Sequence, residues 1–323
     1  MPMIIVLLLA FASSLHAAQG TADTYPTRPI RIIILVNPGG GADITSRAVG
    51  QKLTESWGQQ VIVDNRPGGN GIVGMDIAAH ANPDGYTVVL GTIGPVAVNP
   101  SLYKKLPYDS VRDFEPVARA VSALNVLVVH PSVPAKSVKE LIAYAKANPG
   151  KLTFGSSGAG FADHLAGELF NTLAGVKMIH VPYKGGAPAM LDLVGGNLQL
   201  IFATVSTAIG SIQSGKIRAL GITFAKRVEQ FPDWPTIAEA GVPGFEVDNW
   251  YGFQAPRGTP QPIVMKMHRE INRIIALPDV KERFAALGIF PFTAPTPGAY
   301  GEYIKSEIAK YGKVIRDSGV KAD

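Results

Sequence analysis

Short apolar runs rich in β-branched residues alternate with segments of helical periodicity along almost the whole chain, and no other feature restricts the fold as much. The first run, Ile32-Ile33-Ile34-Leu35-Val36, reads as a buried strand. Residues 44–57 follow with Ile44, Ala48, Val49, Leu53 and Trp57 on one helical face and Gly58 in C-cap position. Between them lies Asn37-Pro38-Gly39-Gly40-Gly41-Ala42-Asp43. Three consecutive glycines leave no β-carbon between solvent and backbone, so an anionic group can approach amides exposed at a helix N-terminus. The loop reads as half of a carboxylate-binding site, the alternative being a tight turn with nothing bound.

The strand–turn–helix pattern continues. Val61-Ile62-Val63 reads as a strand, residues 64–71 as a glycine-rich turn, residues 72–81 as a helix and residues 86–90 as a third strand. In open α/β sheets ligands sit beyond the C-terminal ends of the strands, so Thr92 is either a ligand contact or an ordinary capping hydroxyl. Residues 99–114 read as irregular, broken by Pro100 and Pro107, and residues 123–130 as a long strand that carries the chain into a second domain. Residues 137–147 read as an amphipathic helix capped by Ser137, with Glu140 three positions on.

The opening pattern then recurs. Leu152-Thr153-Phe154 is a strand, residues 155–163 form a glycine–serine loop, and residues 164–174 are a helix. Both loops carry a glycine shortly before a closing Ala-Asp, so two anion nests can face one another across a cleft. Strands are expected at 178–181, 198–203 and 219–223, helices at 187–194 and 209–214, an extended aromatic segment at 247–253, and closing helices at 260–276, 278–287 and 296–318.

Composition excludes several function classes. At 323 residues the chain has room for two domains, and 46% apolar with 17% charged residues describes a folded protein. The formal charge of +5 is spread among acids with no basic tract, which speaks against nucleic-acid binding. Absence of cysteine excludes disulfides, thiolate metal sites, a cysteine nucleophile and a lipid-modified N-terminal cysteine. Residues 1–18 are uncharged and largely apolar, too short for a comfortable membrane span, and read as a secretory signal cleaved near Ala17 or Ala18, without the usual basic start. The six histidines show no metal-binding spacing, and neither a dinucleotide fingerprint nor a P-loop is present, so no metal and no cofactor is expected. Gly155-Ser156-Ser157-Gly158 approaches a nucleophile elbow, but Ala159 stands where the last glycine belongs. An exported hydrolase using Ser157 is therefore the rival reading. His164 reads either as a cleft residue or as a partly buried helix residue, and Asp43 as a loop brace or an acceptor for an amino group or water on the ligand.

Further motifs, in order and spacing, carry a resemblance. They are Tyr25-Pro26-Thr27-Arg28-Pro29-Ile30, Pro38 to Asp43, Val63-Asp64-Asn65-Arg66-Pro67-Gly68-Gly69 and Pro83-Asp84-Gly85-Tyr86-Thr87. Asp113-Phe114-Glu115-Pro116-Val117, Ser156-Ser157-Gly158, His180-Val181-Pro182-Tyr183-Lys184-Gly185 and Pro235-Thr236-Ile237-Ala238-Glu239-Ala240-Gly241 complete the set. The sequence resembles the Bug-type extracytoplasmic solute receptors, the substrate-binding components of tripartite tricarboxylate transporters. The resemblance implies an α/β, two-domain periplasmic-binding-protein (Venus flytrap) fold, type II-like, with residues 24–124 plus 252–323 in one domain and 125–251 in the other. It implies a non-enzymatic, monomeric periplasmic receptor that passes a small organic acid to a membrane permease. One ligand carboxylate is expected on Pro38, Gly39, Gly40, Gly41, Ala42 and Asp43 and on Ser156, Ser157, Gly158 and Gly160, with ordered water helping. Thr92, Tyr183 and Thr204 are expected as further wall residues. No arginine sits in these loops and Lys184 alone offers a nearby cation, so no strong second cationic pocket is marked.

Overall fold

The computed structural model describes residues 24–318; the expected signal segment lies outside them. Strand β1 (Ile30–Ile34) leads through the triple-glycine loop into helix α1 (Gly41–Trp57). Strand β2 (Val61–Asn65), a single turn at Gly69–Gly71, helix α2 (Ile72–Ala79) and strand β3 (Thr87–Thr92) follow. A wide helical turn at Gly94–Val98 runs into the short α3 (Asn99–Leu102). Strand β4 (Phe114–Ala123) passes through Leu124 directly into β5 (Asn125–Val129). Then come α4 (Val138–Ala147), β6 (Thr153–Ser156), α5 (Ala162–Ala174), β7 (Ile179–Pro182), α6 (Gly186–Val194), β8 (Leu200–Thr204), α7 (Val205–Gln213) and β9 (Arg218–Ile222). The chain closes with β10 (Asn249–Pro256), α8 (Gln261–Ala276), α9 (Pro278–Ala286), β11 (Ile289–Pro291) and α10 (Pro297–Ser318).

These strands form two mixed sheets, ordered β11-β4-β10-β3-β1-β2 and β7-β6-β8-β5-β9. In the first, β1 runs parallel to β2 and β3, whereas β10 is antiparallel to both β3 and β4. In the second, β6 runs parallel to β7 and β8, and β5 is antiparallel to β8 and β9. The chain leaves the first sheet at Leu124 and returns at Asn249. Two crossing segments between two α/β lobes give the Venus flytrap architecture expected above.

The expected irregular stretch 99–114 is irregular apart from the short α3 at its start and β4's first residue at its end, whereas the expected strand 123–130 is redrawn. The apolar residues after Phe114 belong to a ten-residue strand in the first sheet, and the expected long strand is split at Leu124 between the two sheets. Pro116 hid β4 in the sequence because it offers no amide to a ladder. The sheet accommodates it with a register irregularity where Phe253 and Gln254 of β10 face Ala118 and Pro116. Helices α1, α5 and α7 each begin earlier than periodicity indicated, at Gly41, Ala162 and Val205. Residues 236–240 form a turn tied to the second sheet by a bridge between Ile222 and Thr236.

The lobes are closed on each other. Asn37 N–H, just after β1, donates to the Lys184 carbonyl, just after β7, at 3.2 Å. Gly158 has φ of +139°, and a β-carbon there would stand 2.7 Å from Asn70 Oδ1 of the facing lobe. Phe161 of the second lobe packs into the apolar cluster that contains Tyr251 and Phe253.

Candidate functional site

Closure leaves a cavity of about 40 Å³ between the sheets. That is room for a carboxylate group or a few waters. The first lobe contributes Val36, Gly40, Gly41 and Ala42 from the β1–α1 turn and Thr92 from the end of β3. Asn249 and Tyr251, at the start of the returning strand β10, also line the cavity. The second lobe supplies Ser157, Phe161, Ala162 and Asp163 before and within α5, Gly186 of α6, and Thr204 and Thr207 around the start of α7.

The chemistry follows from where the helices begin. Lining residues lie in the first turns, or at the N-caps, of α1, α5, α6 and α7. First-turn amides have no acceptor inside their own helix. None of these four starts is capped by its N-cap side chain, whereas Ser137 Oγ caps α4 by accepting from Glu140 N–H at 3.2 Å. Each N-terminus carries about half a positive charge, which favours an anion by about 0.3–1 kcal/mol when exposed and more when buried. Lys, Arg and His are absent from the lining. Positive potential in the cavity therefore comes from oriented peptide groups, supplemented by the hydroxyls of Thr92, Thr204, Thr207 and Tyr251.

Asp163 is the single formally charged residue on the lining. Burial pushes its carboxyl up to about 6, opposed by hydrogen bonds from Ser157 and His164. Its Oδ2 accepts from Ser157 N–H at 2.7 Å and Ser157 Oγ–H at 2.6 Å, and its Oδ1 accepts from His164 N–H at 3.0 Å. At neutral pH the anion is thus fully engaged in holding the serine loop.

Thr92 Oγ1 is buried and has no partner among the described residues. Leaving a buried hydroxyl unpaired costs about 1–3 kcal/mol. Replacing Thr92 with the near-isosteric valine is expected to leave ligand-free stability unchanged or raise it by up to about 1 kcal/mol, while weakening ligand binding several-fold. Thermal denaturation with and without ligand checks this; a parallel loss of both would show that the hydroxyl serves the fold.

Of the residues expected from sequence, the structure brings Gly40, Gly41, Ala42, Thr92, Ser157 and Thr204 together on the cavity. The others lie off its lining. Pro38 and Gly39 are exposed. Asp43 is a brace, its oxygens accepting from Arg47, Asn65 and Gly39 N–H. Burial alone would raise its carboxyl, but the Arg47, Gly39 and Asn65 hydrogen bonds hold it below the usual carboxylate range. Ser156 Oγ pairs with His180 Nε2 at 2.6 Å and accepts from Gly158 N–H. Burial, and then the neighbouring His164, pushes His180 down to about 3, so it is neutral. His164 is buried, stacks on Phe154 and accepts from Gly160 N–H at its Nδ1, which makes it a loop brace and not a wall residue. Tyr183 donates its hydroxyl to Asp192 at 2.6 Å and faces a neighbouring cavity of about 240 Å³, which shares Ser157 and Phe161 with the first.

Sequence reasoning missed Val36, Phe161, Ala162, Asp163, Gly186, Thr207, Asn249 and Tyr251 as lining residues. Phe161 to Asp163 lay inside a loop already singled out, and Thr207 beside Thr204. Asn249 and Tyr251 carried no local signal, because only sheet pairing brings the returning strand beside β3.

Two α/β lobes closed on a small cavity between them have the architecture of a solute-binding protein. The chain belongs to the tripartite tricarboxylate transporter family of receptors, whose sequence model matches residues 45–320. It is 38% identical over 306 residues to protein BugT of Bordetella pertussis, spanning 94% of each chain. The structure of R. palustris Rpa4515 with adipate superposes with a TM-score of 0.90 at 35% identity, covering 93% of this chain and all of that one. MatC from Rhodopseudomonas palustris with bound malate gives 0.85 at 30% identity, covering 90% of this chain and all of the other.

Proposed function

We propose that this receptor captures a small organic acid by its carboxylate in the cavity between the lobes and presents the closed form to a membrane permease. The observation that carries the reading is the convergence of four helix N-termini, none capped by its N-cap side chain, on a cavity without a cationic side chain. Gly40, Gly41 and Ala42 form one nest, and Ser157, Ala162, Gly186 and Thr204 the facing one. Gly39, Asp43, Ser156, Gly158, Gly160 and His164 hold these loops in shape behind the lining. The remainder of the acid extends past Ser157 and Phe161 into the neighbouring cavity, where Tyr183 and Lys184 form part of the wall. The acids in the Rpa4515 and MatC structures support this class of ligand.

One lobe comprises residues 24–124 with the C-terminal part of the chain, and the other residues 125–248. We place the return at Asn249 instead of residue 252, since Asn249 already faces Ala123 in the first sheet. One copy supplies both nests, which fits a monomer, and the leader at 1–18 fits a periplasmic protein. Binding without turnover is supported by the family's receptor role and by the Ser157 hydroxyl's place as a brace that ties its loop to Asp163.

The test is a thermal-shift screen of the chain from residue 19 against mono-, di- and tricarboxylic acids. An acid at one hundred times its Kd should add about 2.7 kcal/mol of stability, a rise of several degrees in Tm. Uniform failure of carboxylates in ligand-free protein, with a shift from an uncharged solute, would refute the assignment.

A further inference from the structure

Residues on the two crossing segments are joined by a hydrogen-bond chain that ends at the cavity. Asn125 opens β5, where the chain leaves the first lobe, and Asn249 and Tyr251 lie at the start of β10, where it returns. All three are more than nine-tenths buried. Asn125 Nδ2 donates to the Phe202 carbonyl at 2.6 Å. A carbonyl can only accept, so this bond decides which end of the Asn125 amide is nitrogen. Asn125 Oδ1 is thereby the acceptor for Asn249 Nδ2 at 3.0 Å. The second hydrogen on that nitrogen goes to the Tyr251 hydroxyl oxygen at 3.2 Å. Tyr251 is thus the acceptor at the end of the chain, and its own hydroxyl hydrogen is left for something else.

That hydrogen has no acceptor among the described residues. The charged group across the cavity, Asp163, accepts from Ser157 and His164 and makes no hydrogen bond with the Tyr251 hydroxyl. The Tyr251 hydroxyl lies against the first residue of α1, since a β-carbon on Gly41 would stand 2.9 Å from it. It therefore sits where the α1 amides converge, on the lining, and burial keeps it protonated far above the usual tyrosine range.

We propose that Tyr251 is a ligand-binding residue whose hydroxyl donates to the bound carboxylate, and that Asn125 is its positioning residue, acting through Asn249 from outside the cavity. The inference rests on the carboxylate reading above. A hydroxyl that must accept from Asn249 cannot turn its hydrogen back toward the hinge, so its donor direction is set before the ligand arrives. Because the chain ties both crossing strands together, the same bonds that align the donor also join the segments about which the lobes move.

Isothermal titration with acetate, succinate, malate and adipate, on wild type and on Tyr251→Phe, Asn125→Leu and the double variant, tests this. Removing a hydrogen bond to a charged acceptor should weaken whichever acid binds by about ten- to a hundredfold in Tyr251→Phe. Asn125→Leu should weaken it about fivefold or more, and should add no loss in the Tyr251→Phe background. An unaltered affinity in Tyr251→Phe overturns the proposal. Equal losses from Asn125→Leu in both backgrounds overturn the positioning role, because a merely structural defect does not depend on the tyrosine hydroxyl. If Asn125→Leu does not fold, Asn249→Ala in the two backgrounds makes the same comparison. If wild type binds none of the four acids, the carboxylate reading falls and this inference with it, an outcome distinct from a wild type that binds beside an indifferent Tyr251→Phe.

Discussion

Gly41→Val is expected to abolish ligand capture, with a loss of affinity of a hundredfold or more, while both lobes stay folded. A β-carbon at this position would lie 2.9 Å from Tyr251 Oη and 3.1 Å from Ser206 Oγ. The first group is on the returning hinge strand and the second on α7 of the facing lobe. Neither can retreat far, because Tyr251 is buried and Ser206 sits in the first turn of its helix. Valine adds two further carbons in the same direction, so closure is blocked and the facing nest cannot reach the carboxylate. Opening the lobes withdraws Ser206 but not Tyr251, because β10 pairs with β3 in the same sheet. Gly41 is helical, so a side chain there meets no backbone strain, and the freedom removed from the unfolded chain offsets part of the cost of displacing the Tyr251 hydroxyl within the same lobe. Titration calorimetry reads the affinity, and small-angle scattering reads whether the variant remains expanded when ligand is added. Wild-type affinity in a well-folded Gly41→Val protein would mean that the cavity between the lobes is not where the acid is held.

Trp250→Ala should have the largest effect on stability, a loss of about 4 kcal/mol or more. Trp250 is fully buried, edge-on to Tyr300 at 6.2 Å and Tyr303 at 5.5 Å between ring centres. Its indole N–H donates to Glu307 Oε2 at 3.0 Å, and Glu307 is itself buried. Truncating a core tryptophan costs about 3–5 kcal/mol through lost burial and the cavity left behind. A buried carboxylate deprived of a donor adds about 1–3 kcal/mol more. Since a whole domain is stable by only about 5–15 kcal/mol, the variant should approach the threshold of folding at 37 °C. The loss arises where β10 meets α10, so the anchoring of the C-terminal helix goes with it. Trp250→Phe keeps most of the ring and should cost much less. A denaturant midpoint for Trp250→Ala within the error of wild type would contradict the packing described.

Much of the architecture was legible because it is local. Period-two and period-3.6 patterns located most strands and helices, and the glycine clusters after β1 and β6 marked two turns of similar form. Where the reading failed, a local signal was overridden by a partner distant in sequence. Residues 115–122 drew no strand assignment, and Pro116 cannot donate to a ladder, yet β4 forms because β10, more than a hundred residues later, pairs with it through an irregularity opposite the proline. The uninterrupted apolar run at 123–130 read as one strand because hydrophobicity does not record which sheet a residue joins.

The site divides in the same way. The sequence by itself determined that the chain is α/β, that glycine and serine loops open two of its helices, and that cysteine chemistry is absent. Backbone propensity and residue size depend on near neighbours, so these features can be read in one dimension. Only the tertiary structure decided which side chains face the cavity. Asp43 and His164 stand in the right loops but turn to Arg47, Asn65 and Gly160, because a charged or aromatic side chain at a helix start satisfies its own loop before it meets the other lobe. Asn249 and Tyr251 have no glycine or serine motif, yet they line the cavity because β10 is inserted between β3 and β4. Which residues meet across the cleft depends on the pairing of strands far apart in the chain and on the closure of two lobes, and neither leaves a periodic trace in the sequence.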